Sequence, residues 1–397
     1  MRVAYILAEY VSATERFVAR EIDGLRKHDV SVHIFALRRG ASSGGATVPA
    51  SFRRPAWHPG LLTAVLYWLV RRPGLFIGIC ADTLVTYGAH PRECAVVLRN
   101  IPVAADFARM AAADRVEHIH AHFAYVPADI ACIMSRLLNL PFSVSAHAWD
   151  IYAQPPSLTA KRLRGASAII ACTEAGRQAV QRALPATSAA SLHMVRHGLC
   201  LTEYNLSARP TRVVLGIGRL IEKKGFDILL AACAELRKRG VDFEAAIIGD
   251  GLLREKLETM ASVLQLRDVV TFTGEIPWHT VRGYLKRAAV LVAPSVRAPD
   301  GDRDGLPNVI LEAMASGRPV ISSRENAAAE IIADGENGYL IERADVQGLA
   351  DHLQRLLDDD SLCQTMGKAA RRTIKERFDI DKTALEMIQV FKRSKYS

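Results

Sequence analysis

Residues 213–236 read VVLGIGRLIEKKGFDILLAACAEL and contain one complete strand–turn–helix unit of the predicted fold. The apolar run VVLGIG predicts a buried strand, and the polar turn after it contains Gly218 and Gly225. The apolar positions that follow recur at helical spacing, at Phe226, Leu229, Leu230, Cys233 and Leu236. A buried strand, a glycine-containing turn and an amphipathic helix indicate an α/β protein with a parallel sheet.

The same alternation runs along the rest of the chain. Strands are predicted at 2–8, 30–37, 118–123, 142–147, 168–173, 193–196, 213–218, 243–248, 269–273, 290–293, 319–322 and 338–341. A helix is predicted from Glu15 to Arg26, and the turn-rich stretch after the second strand is predicted to be a surface loop. Near-continuous apolar strands separated by helices indicate parallel sheets that are covered on both faces.

A polar segment at 202–212 divides this pattern into two doubly wound, Rossmann-like α/β domains. The predicted bounds are 1–203 for the first domain and 204–378 for the second, followed by a C-terminal helix within 379–397 that could pack on either domain. Such folds bind ligands at the carboxyl ends of their strands, so two facing sheets would place one ligand cleft between the domains.

Composition excludes several classes of protein. Half of the 397 residues are hydrophobic, which excludes a disordered or fibrous chain. The seven cysteines form no CxxC pair, which fits reduced thiols in a cytosol and disfavours a disulfide framework or a zinc site. The first ten residues include Glu9 and carry no cleavage pattern, and no run of about 18 uncharged apolar residues occurs. We therefore expect a cytoplasmic protein.

The net charge of +9 lies entirely in the first half. Residues 1–200 hold 22 basic and 13 acidic side chains, whereas residues 201–397 hold 29 of each. Such asymmetry suggests an anionic partner, namely nucleic acid, a phosphorylated substrate or an anionic membrane surface. No nucleic-acid-binding signature supports the first, so no nucleic-acid partner is predicted.

An apolar segment at 57–80 is interrupted by Arg71-Arg72-Pro73, and each uninterrupted piece is too short to span a bilayer. It could lie in the interface of the inner face of the cell membrane, with its arginines toward anionic head groups. The alternative is two core helices separated by a proline.

The turn Gly218-Arg219-Leu220-Ile221-Glu222-Lys223-Lys224-Gly225 leads into a helix N-terminus. Free N–H groups there, with Arg219 and Lys224 beside them, suit a diphosphate. The alternative is a solvated basic loop. The turn is not a dinucleotide fingerprint, because Ile221 stands where a third glycine belongs, and the chain has no GxxxxGK[ST] sequence.

A second motif runs from Asp300 to Gly317 and joins an acidic loop to a helix. Glu312 shares a helix face with small residues, so its carboxylate could accept hydrogen bonds from two adjacent hydroxyls, as on a ribose. Asp304 at the junction could touch a ligand or only stabilise the helix end. A divalent ion at Asp300, Asp302 and Asp304 is disfavoured by the departure from calcium-loop spacing.

Together these motifs resemble the retaining nucleotide-sugar transferases of glycosyltransferase family four. The matching stretches are GRLIEKKG (218–225), IIGDG (247–251) and DGLPNVILEAMASGRPVISS (304–323), with looser matches at HAHFA (120–124) and SAHAWDIY (145–152). The chain looks most like bacterial exopolysaccharide and colanic-acid-type transferases. The resemblance implies a GT-B fold, with two Rossmann-like domains facing a central cleft and a final helix returning to the first domain.

The resemblance also implies roles in the second half. Arg219 and Lys224 correspond to the pair that grips the donor diphosphate, and Asp304 stands at the carboxylate that touches the transferred sugar, where the family has Glu. Glu312 corresponds to the carboxylate that holds the ribose. The donor-binding residues implied are Gly218, Gly249, Gly251, Gly305, Leu306, Glu312 and Glu330.

In the first half, His147 ends a predicted strand and corresponds to the family histidine near the reacting sugar carbon. Its alternative is a buried core histidine. His120 and His122 point to one face of their strand, and without a third ligand we favour structure or acceptor contact over a metal pair. Candidate acceptor contacts are Ser12, Arg16, His122 and Asp150, although Ser12 or Thr14 could simply cap a helix.

The predicted function is that of a retaining, metal-independent hexosyltransferase. It would move a hexosyl group from a nucleoside-diphosphate sugar to a saccharide or lipid-linked saccharide acceptor, with no cofactor. The alternative is a catalytically weak nucleotide-sugar-binding module of the same fold.

Overall fold

A computed structural model describes residues 1–10, 16–40, 49–185, 188, 190–204 and 211–394. The chain divides into one unit of Met1–Gly198 with Ile380–Ser397, and a second unit of Leu199–Asp379. The first boundary falls at Gly198 rather than at residue 203. The reason is that the Leu199 N–H donates to the Phe378 carbonyl at 2.7 Å, which ties the start of the second unit to its end.

The first unit contains a seven-stranded parallel sheet of order β3-β2-β1-β4-β5-β6-β7. Its strands are β1 (Arg2–Tyr10), β2 (Ser31–Arg39), β3 (Ala50–Phe52), β4 (His118–His122), β5 (Phe142–Ala146), β6 (Ala168–Ala171) and β7 (Ser191–Met194). Its helices are α1 (Arg16–Lys27), α2 (Pro59–Arg71), α3 (Pro73–Tyr87), α4 (Pro91–Ala113), α5 (Val126–Leu138), α6 (Ala148–Tyr152), α7 (Pro156–Leu163) and α8 (Glu174–Ala183).

The second unit contains a six-stranded parallel sheet of order β10-β9-β8-β11-β12-β13. Its strands are β8 (Val213–Ile217), β9 (Glu244–Ile248), β10 (Val270–Gly274), β11 (Val290–Ala293), β12 (Val320–Ser323) and β13 (Gly338–Ile341). Its helices are α9 (Phe226–Lys238), α10 (Arg254–Val263), α11 (Trp278–Arg287), α12 (Asn308–Ala315), α13 (Val346–Asp358) and α14 (Asp360–Arg377). The last helix, α15 (Ile380–Arg393), packs on α1 in the first unit.

Apolar clusters cover both faces of each sheet, as the near-continuous apolar strands require. The predicted α/β fold of two doubly wound domains is therefore confirmed. In each sheet the strand order reverses beside the unit's first strand, between β1 and β4 and between β8 and β11. These two switch points are where a fold of this kind binds ligands, at the carboxyl ends of the strands.

Two local predictions need correction. Both ends of the stretch predicted as a loop at 38–50 belong to strands, because β2 runs on to Arg39 and Ala50 begins β3, a three-residue edge strand too short to show a period. Residues 41–48 of that stretch lie outside the described residues. The strand predicted at 193–196 begins earlier, at Ser191. Among the described residues no single helix meets the length and hydropathy needed to cross a bilayer; α2 and α3 meet it only as a pair bent by 114°.

Candidate active site

The loops that follow β8 and β9 lie backbone against backbone at the switch point of the second sheet. The Gly218 N–H donates to the Ile248 carbonyl at 2.9 Å, and the Leu220 N–H donates to the Asp250 carbonyl at 2.8 Å. Gly249 has a φ of +132°, and a Cβ there would stand 2.0 Å from the Gly218 carbonyl oxygen. Only glycine allows this approach, so the predicted glycine loop closes tightly on the loop that carries Arg219.

A single helical turn, Glu222–Lys224, precedes α9 and ends at Gly225. Gly225 has a φ of +67°, and a Cβ there would lie 2.1 Å from the Pro294 carbonyl oxygen, just beyond β11. The Val296 N–H donates to the Lys223 carbonyl at 2.9 Å. The start of α9 is thus locked to the end of the neighbouring strand, which fixes the direction of the two lysines.

The lysines of this turn meet the acidic loop before α12. Lys224 Nζ lies 2.8 Å from Asp304 Oδ2, and Lys223 Nζ lies 2.8 Å from Asp302 Oδ2 and 3.8 Å from Asp304 Oδ1. The Ser295 hydroxyl donates to Asp304 at 2.9 Å. Burial alone would raise the pKa of Asp304, but the Lys224 and Lys223 ammonium groups hold it below its ordinary value. Asp304 is therefore ionised at neutral pH.

The pairing of these lysines and aspartates is relevant to the alternative of a divalent ion at Asp300, Asp302 and Asp304. Asp302 and Asp304 are paired with ammonium groups, and the Asp300 side chain accepts the Asp302 N–H at 2.9 Å. Lysine charges thus stand where a divalent ion would otherwise bind these carboxylates. The sequence analysis did not select Lys223 or Ser295 as site residues. For Lys223, the adjacent pair Lys223-Lys224 was the signal that could have revealed it.

Arg219 differs from the lysines in being exposed, and no side chain in the described part of the chain is paired with it. Arg219 stands on the loop between Gly218 and Leu220, and the Lys224 side chain passes over Gly218. An exposed guanidinium without an ion-pair partner can bind a phosphate without first breaking an ion pair.

The remaining predicted donor residues lie on or next to α12. Glu312 is 3% exposed, so its carboxylate is held inside the fold. The Gly305 carbonyl accepts the Ala327 N–H at 3.0 Å, and Leu306 packs on the apolar cluster behind α12. Glu330 is the last residue of a short helical turn, and its backbone carbonyl accepts a hydrogen bond from the Arg377 guanidinium at 2.9 Å. Their contacts with a donor stay predictions.

In the first unit, His147 follows β5 directly and is buried. Its Nε2 lies 3.2 Å from His122 Nδ1, and His122 Nε2 lies 3.1 Å from Glu21 Oε1. The Tyr5 hydroxyl donates to the same Glu21 oxygen at 2.7 Å. A hydrogen-bonded chain therefore runs from Tyr5 through Glu21 and His122 to His147.

The charges of this chain are set by its surroundings. Burial, followed by the neighbouring His122 and His197 imidazoles, lowers the pKa of His147 well below its ordinary value. Burial would raise the pKa of Glu21, but His122 and the Tyr5 hydroxyl bring it below its ordinary value. At neutral pH the chain thus joins an ionised carboxylate to a neutral His147.

Two predicted acceptor contacts take other positions. Asp150 is fully buried, and its carboxylate accepts the His147 N–H and the Ala124 N–H, both at 2.9 Å. His122 is 1% exposed and lies behind His147. These contacts lie inside the fold and hold His147 in place, and contact of either residue with an acceptor stays a prediction. Arg16 begins α1, and Ser12 and Thr14 lie outside the described residues.

Glu21 is the functional candidate that the sequence did not reveal. It lies three residues after Val18 and four before Leu25, within the buried stripe of α1, and a carboxylate on such a stripe was the available signal. It also supplies the third ligand atom that was missing beside His120 and His122, all within 4.8 Å. The His120 ring nitrogens already lie 2.8 and 3.2 Å from the hydroxyls of Ser143 and Ser145.

A second group that could hold a metal ion joins His147, Cys172 and His197, again within 4.8 Å. Imidazole and thiolate ligands are those that Zn²⁺ prefers. Neither residue Cys172 nor His197 stood out in the sequence, because they come from separate segments. The predicted independence from metals stays a prediction.

Comparison with known proteins gives the class of this chain. Residues 204–373 match the family model of the glycosyl transferases group 1. HepE from Anabaena, in complex with UDP and glucose, superposes with a TM-score of 0.70 at 18% identity, covering 99% of this chain and 100% of that one. Sucrose-phosphate synthase from Thermosynechococcus elongatus superposes with a TM-score of 0.73 at 19% identity, covering 99% and 98%. The fold is GT-B, as the resemblance implied.

Sequence relatives narrow the class. WcaL of Escherichia coli K12, a protein named for colanic acid biosynthesis, is 28% identical over 408 residues and covers 96% of both chains. AmsK of Erwinia amylovora, named for amylovoran biosynthesis, is 33% identical over 210 residues, which are 52% of this chain and 51% of AmsK. Residues 204–373, which lie in the second unit, thus carry a domain of the group 1 glycosyltransferases. The predicted resemblance is confirmed.

Proposed function

We propose that this protein is a retaining hexosyltransferase that uses a nucleoside-diphosphate sugar and acts in bacterial exopolysaccharide or lipid-linked glycan assembly. The observation that carries the proposal is the cationic pair of Arg219 and Lys224 on the turn after β8, at the switch point of the second sheet. Its relatives named for colanic acid and amylovoran biosynthesis support the glycan class, and HepE, which holds UDP and glucose, supports the donor class.

The leaving diphosphate needs stabilisation as the sugar–oxygen bond breaks. Negative charge grows on its phosphate oxygens, and Arg219, Lys224 and the N-terminal N–H groups of α9 would stand ready for it. Cations held in place before the charge develops lower the barrier by about 3 kcal/mol for each well-placed donor. The departing phosphate would take the acceptor proton, with attack on the face that it leaves.

Asp304 connects this charge to the transferred sugar. In the proposed reaction, Lys224 is shared between Asp304 and a donor phosphate, which leaves the second Asp304 oxygen for a sugar hydroxyl. Its side chain is one methylene shorter than that of the family Glu, so the lysine bond at 2.8 Å supplies the positioning that a longer side chain would give.

His147 would contribute as a neutral group. Because Glu21 is ionised, its carboxylate accepts a hydrogen bond from His122 Nε2–H, which leaves His122 Nδ1 to accept one from His147 Nε2–H. We assign these tautomers from the partners; the other His147 ring nitrogen faces the Asp150 N–H in a capping box, so the ring would meet the sugar as a fixed, neutral group. Charge stabilisation by Arg219 and Lys224 would replace the magnesium of other transferase folds, so no obligatory metal is proposed.

The test is a panel of UDP-, GDP- and ADP-sugars offered to the purified protein. A donor that binds raises the unfolding temperature by mass action, and turnover releases the free nucleoside diphosphate. The proposal expects both effects with one nucleotide and unchanged release after dialysis against EDTA. A protein that is stabilised by none of these donors would contradict it.

One observation favours the second candidate, a nucleotide-sugar-binding module with weak catalysis. Lys224 and Asp304 neutralise each other, and Asp304 is shorter than the family residue. Stabilisation by a donor without release, even with saccharide acceptors added, would favour the module. Faster release by Asp304→Glu would then show that the shorter side chain limits turnover.

A further inference from the structure

Large apolar side chains are exposed in one region of the first unit. Among the described residues, eight of the twelve exposed large hydrophobic side chains lie between residues 57 and 85. They are Trp57, Leu62, Leu66, Tyr67, Val70, Ile77, Leu84 and Val85. We refer to these eight side chains as the α2–α3 surface. Such a concentration marks an interaction site, since single exposed apolar residues are ordinary but a cluster is not.

Helix α2 is apolar on two opposite sides. Leu61, Ala64 and Trp68 are buried, and the Trp68 indole N–H donates to the Ala105 carbonyl of α4 at 3.0 Å. Packing against α4 therefore accounts for the inner side only. Leu62, Leu66 and Val70 follow one another at intervals of four residues and form an outer stripe that is 50–84% exposed.

Helix α3 repeats this arrangement after the bend of 114°. Phe76 and Ile79 are buried on its inner side, whereas Ile77, Leu84 and Val85 are 55–83% exposed. Neither helix is long enough to cross a bilayer. Two short helices with apolar outer stripes fit a position along an interface instead.

The charges from β2 to the bend have one sign, and Asp82, the first acidic side chain of α3, is paired with Arg136 and Arg164. From Val30 to Ala81 the sequence contains six arginines and no Asp or Glu. Arg71 and Arg72 are exposed and stand at the bend, between the two apolar stripes. Exposed apolar side chains beside unopposed arginines are complementary to a bilayer surface with anionic lipids.

We propose that the α2–α3 surface docks on an anionic membrane, with its apolar side chains below the head groups and Arg71 and Arg72 among the phosphates. The inference extends the proposed function, in which a lipid-linked acceptor would be met at the membrane, and rests on it for the biological purpose alone. A symmetric dimer through this surface would place the arginines of each copy near those of the other, which disfavours self-association.

Vesicle flotation of the full chain tests the proposal directly. The probes are phosphatidylcholine vesicles with and without about one third phosphatidylglycerol, and the variants are L62S/L66S/V70S and R71Q/R72Q. The matched control is L252S/V263S, which removes two apolar side chains of the second unit that are 94% and 77% exposed. All substituted positions are exposed, and circular dichroism should report an unchanged fold.

The wild type and the control should float with the anionic vesicles, and binding should fall at least tenfold without phosphatidylglycerol. R71Q/R72Q should bind at least tenfold more weakly, since each arginine near such a surface contributes about fivefold. L62S/L66S/V70S should lose binding altogether. Vesicle flotation does not depend on donor turnover. The membrane proposal can therefore be tested even if the transferase proposal fails.

Four results would overturn the proposal. The wild type could fail to float with either vesicle, or L62S/L66S/V70S could bind as tightly as the wild type. Sedimentation could instead show a wild-type dimer that L62S/L66S/V70S dissociates, or the surface could capture a defined protein partner without lipid. In those last cases the surface serves another occupant.

Discussion

The two units hold their candidate residues in opposite electrostatic states. In the second unit, full charges stand on loops at the sheet edge, with Lys224 against Asp304 and Arg219 open to solvent. In the first unit, a single carboxylate lies behind two imidazoles, and His147 is neutral. Under the proposed function this difference is a division of labour. Fixed cations meet a charge that develops on a leaving diphosphate, whereas a neutral group meets an uncharged sugar.

The largest expected effect belongs to the charged side of this comparison. Arg219→Ala should lower turnover by about 100- to 1000-fold, because a preorganised donor to the developing charge is removed. The unfolding temperature should not change, since the Arg219 side chain is exposed. Release of nucleoside diphosphate under donor saturation measures the loss.

Arg267→Ala is the matched control, because Arg267 is another exposed arginine of the same unit and lies in the turn between α10 and β10. It should keep wild-type turnover. Equal rates for Arg219→Ala and the wild type would move the diphosphate away from this turn and end the proposed division of labour.

The two units also differ in how much their sequence reveals. In the second, Gly218–Gly225 and Asp304–Gly317 each form one continuous motif, so the fold followed from the alternation of strands and helices, and the resemblance assigned both motifs to one donor site. The pairing of Lys224 with Asp304 did not follow from the sequence, because contacts 80 residues apart depend on loop conformation.

In the first unit the candidate residues are scattered. His147 was found because it ends a strand, but Glu21 is separated from His122 by 101 residues and belongs to no motif. Asp150 was predicted as an acceptor contact, since a sequence does not show that one oxygen of a carboxylate will accept two backbone N–H groups. Burial and hydrogen-bond partners are properties of the folded chain alone.

Asp304→Asn tests the buried ion pair of the charged side. The variant leaves Lys224 without a carboxylate in a site where the two side chains are 18% and 10% exposed. The free energy of unfolding should fall by about 2–3 kcal/mol in urea titrations, because a buried charge loses its partner.

Glu258→Gln gives the comparison, since Glu258 pairs with Arg254 at 2.9 Å but both side chains are at least one third exposed. Its loss should stay below about 1 kcal/mol. Equal losses in the two variants would show that burial adds nothing to the Lys224–Asp304 pair.

Glu21→Gln tests the neutral side. Gln keeps the shape of the side chain, but a charge-assisted hydrogen bond to His122 becomes a neutral one, weaker by about 1 kcal/mol. With His147 held less firmly in one tautomer, turnover should fall about five- to tenfold at an unchanged KM for the donor. Tyr5→Phe removes the other hydrogen bond to the same oxygen and leaves the carboxylate, so its loss should be smaller. A Glu21→Gln enzyme with wild-type turnover would reduce the chain to a structural feature.

The smallest effect comes from the neutral imidazole itself. Because burial lowers the pKa of folded His147, the unfolded chain binds more protons below pH 6.5, and this residue makes the folded state less stable as the pH falls.

Asp129, with its pKa raised to about 7, and other groups titrate in the same range, so the measurement is a difference between variants. Between pH 7.5 and 5.5, His147→Gln should lose about 1 kcal/mol less unfolding free energy than the wild type. His279→Gln, at an exposed position of α11, is the matched control and should keep the wild-type dependence. Parallel curves for His147→Gln and the wild type would mean that His147 takes up its proton in the folded state, and the contrast between a charged and a neutral unit would fail.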